Sequence, residues 1–219
     1  MGITRAAGLQ LSVVQTYGTS KNMTAVTNAS EAVATLEAAH GVVAGEYLEV
    51  TSGWGRLNNR FVRVKTVSTN DVTLEGVNTS STTLFPAGLG TGTVRKVTPA
   101  TGLVTMNQVK LIATSGGEMG FEDMTCLEDV IGKEAPTLQS PLRLTLTVFD
   151  DPTLAWYAVL LAAADAATPI GLRLAFTNGA KLLANGYVAV GRFPQIEPAL
   201  ALKNTVTFSL LAEPARYAS

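Results

Sequence analysis

The sequence predicts a mainly β protein with few helical interruptions, and three observations carry that expectation. Between Glu46 and Val97 short strand-like runs ("EYLEVTS", "RFVRVKTV", "DVTLEGV", "TVRKV") alternate with polar turns such as "GWGRLNN" and "NTSSTT". This block has the look of a small barrel of its own. Further on, "LRLTLTVF" (142–149) puts Leu142, Leu144, Leu146 and Val148 on one face and Arg143, Thr145 and Thr147 on the other. Third, "IGLRLAF" and "KLLANGYVAV" flank Asn178-Gly179, a two-residue hairpin signal.

Taken in order, "LQLSVV" (9–14) alternates as a strand, and "EAVATLEAAH" (31–40) reads as a short helix with Ser30 as its N-cap. The barrel-like block and an acidic stretch follow, then the 142–149 strand. In "DDPTLAWYAVLLAAADAATP", Asp151 is a natural N-cap and Pro152 suits the first helical position, where a missing N–H costs nothing. Thr168-Pro169 closes this helix of about 152–166, whose interior has almost no polar face and so expects burial on more than one side. The last strand-like run read from the sequence is "LALKNTVTFSLL", which alternates through Leu202, Val206, Phe208 and Leu210.

At 219 residues the chain can bury a proper core, and a net charge of −1 argues against a general grip on nucleic acid. Only 15% of residues are charged, against roughly 25% in ordinary soluble domains, so much of the surface is expected to be covered by partners. The charge is also uneven. Of 17 acids and 16 bases, six acids and one base lie in 116–134, leaving that segment at −5 and the remainder at +4. No signal peptide is evident, and "LAWYAVLLAAA" (154–164) is too short to span a bilayer, so a soluble product assembled inside a cell is expected.

Chemistry is sparse. The single histidine, His40, cannot build a His-based triad or a multi-His metal site, and a surface or capping role is expected. Cys126 is the only cysteine and reads as a small apolar residue. Asp150-Asp151 is explained by helix capping. "GLGTGT" (88–93) lacks the Lys-Ser/Thr of a phosphate-binding loop and reads as a turn. Arg60, Arg63, Lys65, Arg95 and Lys96 read as a solvated sheet face. No catalytic residue, metal site or cofactor site is expected. An enzyme such as a hydrolase is the weakest reading, and a glycan-binding role would rest on Tyr47, Trp54, Phe61 and Phe85.

The acidic stretch is the sequence's oddest feature. "GEMGFEDMTCLEDVIGKEAP" (117–136) interleaves Glu118, Glu122, Asp123, Glu128 and Asp129 with Met119, Phe121, Met124, Leu127, Val130 and Ile131. A solvated loop explains the acids but not the large apolar groups.

Here the residues carry a resemblance. "LRLAFTNGAKLLANGYVAVGRFPQIEPALALKNTVTFSLLAEPARY" resembles the closing strands of the major tail (tail tube) proteins of long-tailed, siphovirus-type phages. "LRLTLTVFDDPTLAWYAVLLAA" is similar to that family's strand–Asp-Pro–helix element, and "MNQVKLIATSGGEMGFEDMTCLEDVIGKEAPTLQS" to its strand running into a long acidic loop. "EYLEVTSGWGRLNNRFVRVKTVSTNDVTLEGVNTSSTTLFPAG" resembles a segment that one branch inserts after the first strand.

The resemblance implies a β-sandwich or barrel with one flanking α-helix, formed by 1–17 and 99–219, with a long inter-ring loop at about 113–141. Residues 18–98 become an inserted helix plus a small β-subdomain on the outer surface. It further implies hexameric rings stacked into a tube that conducts the genome from capsid to host. The loop contacts would come from Glu118, Phe121, Glu122, Asp123, Met124, Leu127, Glu128, Asp129 and Ile131. Lumen-facing candidates are Arg143, Thr145, Thr147, Lys203, Thr205 and Thr207, with Arg143 and Lys203 expected to pair with carboxylates or to lie near a ring edge. Implied partners are other copies of the chain, the tape measure protein, and the tail terminator and tail-tip proteins. Double-stranded DNA passes without specific binding, and nothing inserts into a membrane. The location is the virion tail, with assembly in the host cytoplasm. A related tail terminator or baseplate ring protein, or a host-surface or glycan-binding tail module, is the alternative.

Overall fold

The computed structural model describes residues 7–218, so the ends of the expected sandwich, residues 1–6 and 219, lie outside the described residues. In chain order the strands begin with β1 (Gln10–Val14), β2 (Lys21–Val26), β3 (Val33–Leu36), β4 (Tyr47–Ser52), β5 (Arg60–Ser68), β6 (Asp71–Leu74) and β7 (Gly92–Val97). They continue with β8 (Leu103–Thr105), β9 (Val109–Ser115), β10 (Met119–Asp123), β11 (Glu134–Gln139) and β12 (Arg143–Phe149). The helix α1 (Ala155–Asp165) precedes β13 (Ile170–Ala175), β14 (Lys181–Val190), β15 (Lys203–Leu210) and β16 (Ala215–Tyr217). The protein is mainly β, as the sequence predicts.

One sheet runs β8-β1-β13-β14-β15-β12-β9, with β16 also paired to β14. Its two edge strands are neighbours in sequence, joined by residues 106–108, so the sheet curls until its ends approach. The inward side chains of both halves then share one core, with Leu11, Val13 and Leu172 facing Leu146, Val206 and Phe208. β14 turns the corner. Its first half pairs with β13 and its second with β15, changing over at Gly186, where a Cβ would lie 2.4 Å from the Ser209 carbonyl oxygen. Trp156 and Leu160 of α1 are buried in this core.

The second unit is a closed barrel, β2-β3-β6-β5-β4-β7. Its core holds Met23, Leu36, Leu48, Val62, Val64 and Leu74, and Trp54 meets Phe85 edge-on at 5.2 Å. At about 1.5–3 kcal/mol per large apolar side chain removed from water, such a core stabilises a unit of this size. The barrel takes β2 and β3 from before residue 46. The helix expected over 31–40 is a correction: "VATL" forms β3, in which Ala34 and Leu36 face the barrel core. Closing the barrel pairs this run's backbone with β2 and β6, and that tertiary demand overrides its local helix preference.

Two local readings also change. The helix begins at Ala155, not Pro152, because Asp151 accepts from the Thr153 N–H (3.1 Å) and hydroxyl (2.6 Å) and closes a turn before the helix. The Asn178-Gly179 hairpin has a three-residue loop: Phe176 N–H donates to Ala180 (2.9 Å), and Gly179 takes φ 85°. A Gly in the left-handed region fits such a loop as well as it fits the two-residue form.

Candidate assembly interface

The outward face of β12 and β15 carries the lumen candidates. Register sets Thr145 opposite Thr207 and Thr147 opposite Thr205, with Arg143 opposite Ser209 and Lys203 opposite Phe149. The alternate residues, Leu144, Leu146, Val148, Val206 and Phe208, point into the core, so period-2 alternation alone gathers the hydroxyls on one surface. β9 extends this face with Ala113 and Ser115, and β14 with Ala189 and Tyr187. The six candidates therefore share one face, with the two bases at opposite strand ends. Among the described residues neither Arg143 nor Lys203 forms an ion pair with a carboxylate.

The barrel lies on the other side of the sandwich, against the outward face of β1, β13 and β14. Phe61 and Tyr47 reach the sandwich core at Gly171, where a Cβ would meet Val14 at 2.8 Å and the Phe61 ring at 3.1 Å. Polar bonds fix the two units together. The buried Glu49 carboxylate accepts from Asn185 Nδ2 at 3.0 Å and from Arg95 Nε at 2.7 Å. Arg95 also stacks 4.1 Å over the Tyr17 ring, whose hydroxyl accepts the Gly171 N–H at 2.7 Å. Burial, and then the Glu49 charge, push the Tyr17 phenol far above its ordinary value. Arg63 donates to both oxygens of Glu75, and its N–H bonds the Tyr217 hydroxyl at 2.9 Å.

Between β9 and β12 the chain leaves the sandwich as a hairpin arm. Gly116 and Gly117 take φ of 77° and 82°, and a Cβ on Gly116 would lie 2.1 Å from the Pro141 carbonyl oxygen. Only glycine permits that exit. The expected loop is thus partly regular, since β10 pairs with β11 across a bulge. Its apolar side chains are uncovered: Phe121 is 63% exposed, Ile131 78%, Val130 99% and Leu127 107%, with Met119, Met124 and Leu138 also exposed.

The arm's carboxylates divide into two groups. Asp123 accepts from the Thr125 N–H (2.8 Å) and hydroxyl, and Asp129 accepts from the Cys126 N–H (2.9 Å) and pairs with Lys133. Thr125 holds the Asp123 carboxyl below the usual range, and Lys133 does the same for Asp129. These two organise the tip. Among the described residues, Glu118, Glu122, Glu128 and Glu134 have no side-chain partner and face solvent. A cluster of six acids read evenly from the sequence hides this split.

The remaining sequence candidates are structural. His40 is buried, with Nε2 2.9 Å from the Thr69 carbonyl oxygen and Nδ1 accepting the Val42 N–H at 3.0 Å. "GLGTGT" packs under Trp54, whose indole N–H donates to Pro86 at 2.7 Å. The basic residues of the barrel are mostly paired rather than simply solvated: Arg63 with Glu75, Lys65 with Glu31, Arg95 with Glu49 and Lys96 with Glu46. Cys126 departs from its apolar reading, being exposed at the arm tip. Tyr47, Trp54, Phe61 and Phe85 are all buried, which leaves the proposed sugar site without a stacking surface.

A family model described as phage tail tube protein, TTP, matches residues 52–219. The chain belongs to the phage tail tube protein family. The match runs from within β4 to the C-terminus, so it takes in the last three barrel strands, the arm and most of the curled sheet. No curated protein matches the chain. As a tail tube protein it is a structural component of the virion tail, in a family that is structural rather than enzymatic. Among the described residues no group of acidic, cysteine or histidine side chains could hold a metal, and no helix is long and apolar enough to cross a membrane.

Proposed function

We propose that this tail tube protein assembles into hexameric rings that stack as the tube of a siphovirus-type tail and conduct the genome to the host. The observation that carries the reading is the hydroxyl face of β12 and β15 lying on the side of the sandwich away from the barrel. Turned toward a channel, Thr145, Thr147, Thr205 and Thr207 offer DNA short neutral hydrogen-bonding groups and no array of cations. Strong binding to phosphate needs bases spread along the DNA path that release counterions, whereas Arg143 and Lys203 sit at the two ends of this face and the hydroxyls occupy the stretch between them. The same orientation puts the barrel on the outer surface, where it leaves the channel open.

The arm supplies the axial contact in this reading. Its exposed apolar residues, together with Glu118, Glu122, Asp123, Met124, Glu128 and Asp129, dock on the next ring. Further partners follow from a tube: the tape measure protein within it, and the terminator and tail-tip proteins at its ends. Assembly takes place in the host cytoplasm. Electron microscopy of the purified full chain tests this, with hollow filaments of stacked six-fold rings expected. Single rings that never stack would favour a terminator or baseplate protein, and monodisperse monomers would overturn the reading.

A further inference from the structure

The curled sheet does not close where β8 ends. β8 pairs with β1 from Ser12 to Val14, and a last bond from the Met106 N–H to the Leu11 carbonyl (2.8 Å) ends the contact, so the edge of β1 before Leu11 has no strand beside it on that side. A groove of about 620 Å³ opens there, between β9 and the exposed edge of β1. It is lined mainly by Leu9, Leu11, Leu174, Val109 and Ile112, and its single charged residue is Lys110. Among the described residues Lys110 makes no ion pair, in contrast to most bases of the barrel.

Position gives the groove its meaning. The arm leaves from the end of the sandwich where Ser115 pairs with Arg143, while the groove starts at the other end, where Val109 pairs with Val148. An apolar, acidic projection and an apolar slot with one free cation thus occupy opposite ends of the same pair of strands. A contact between two different patches of one chain is heterologous, and when it runs along an axis it propagates without closing.

We propose that this groove is the receptor for the arm tip of a second copy of the chain. Met124, Leu127, Val130 and Ile131 enter the apolar slot, and Glu128 or Glu122 meets Lys110. The inference rests on the stacked-ring reading, since it names the surface that receives the arm.

Cys126, exposed at the arm tip, makes the test direct. Asn107→Cys adds an exposed thiol at the groove mouth of the full chain, and assembled filaments are treated with a short bifunctional thiol crosslinker. The expected product is a ladder of linked chains that continues past the number of copies in a ring and vanishes when Cys126→Ser is added. Ile196→Cys, in the loop between β14 and β15, should give no ladder. A ladder from Ile196→Cys but not from Asn107→Cys would place the arm on that loop and overturn the proposal. A series stopping at the ring's copy number would mean that the arm contacts its in-ring neighbour, which also overturns it. Filaments that form normally but give no Asn107→Cys ladder sink the groove alone. If the unaltered chain forms no filaments, the stacked-ring reading fails, and the groove with it.

Discussion

Replacing Glu49 with alanine removes the carboxylate that ties the barrel to the sandwich. In the folded chain it is almost completely buried and bonds Asn185 Nδ2 at 3.0 Å and Arg95 Nε at 2.7 Å. Losing one member of a buried pair costs about 3–5 kcal/mol, because its partner is left charged and unpaired. Arg95 is 39% exposed and regains some hydration, so the expected loss is smaller, about 2–3 kcal/mol. A chain of this length shifts its midpoint by roughly 2–4 °C per kcal/mol, which makes the expected drop about 4–12 °C. Scanning calorimetry of the unassembled chain measures it. Arg95→Ala added to Glu49→Ala should cost less than the two single losses combined, since both remove the same bond. Glu49→Gln can keep an acceptor for Asn185 and should fall between wild type and Glu49→Ala. A midpoint for Glu49→Ala within about 2 °C of wild type would mean that the barrel is not held by this contact, and the clamp reasoning would be wrong.

Other perturbations test other parts of the structure. Gly186→Ala places a Cβ 2.4 Å from the Ser209 backbone oxygen, which cannot swing away, and should cost at least about 1–3 kcal/mol by chemical denaturation. A stability equal to wild type would show that β14 does not turn its corner there. The Arg63 hydrogen bonds hold the folded Glu75 carboxyl below its unfolded value, so their stabilisation is complete above the unfolded value and is lost as pH falls through the folded one. Glu75→Gln should therefore flatten the acid side of the stability profile below about pH 4.5, and an unchanged acid limb would contradict the pairing. Thr145→Arg with Thr207→Arg puts bases on the hydroxyl face and should make filaments retain DNA at low salt and release it at high salt. Wild-type filaments that retain DNA equally would refute the neutral-channel argument.

How much of this was legible in the sequence depends on which force decides each element. Strict alternation read Leu144 to Val148 and Val206 to Leu210 correctly, because each run has one buried face, whereas Leu202, read onto the same face, lies before β15 and is exposed. Register then made Thr145, Thr147, Thr205 and Thr207 neighbours. Residues 31–40 misled because Ala and Glu favour helix locally, whereas β3 exists only to close a barrel with strands far away in sequence. Asp151 signalled a capped turn but not which turn it caps. The apolar arm residues were visible as an anomaly, since nothing nearby could bury them. The groove was not legible, because it arises from the shortness of β8, a property of pairing that no local pattern encodes. Nor was the Glu49–Asn185 bond, whose partners are 136 residues apart.

In the stacked-ring proposal the arm's apolar residues stay exposed in the subunit because another copy of the chain covers them. Phe121→Ser with Leu127→Ser tests it most directly, by filament formation in the electron microscope alongside the melting curve of the unassembled chain. Each side chain is expected to contribute about 1.5–3 kcal/mol to every axial contact and almost nothing to the folded subunit, where both are exposed. An unchanged melting curve and the loss of filaments are expected. A subunit that unfolds, or filaments of normal length from the double mutant, would contradict the proposal.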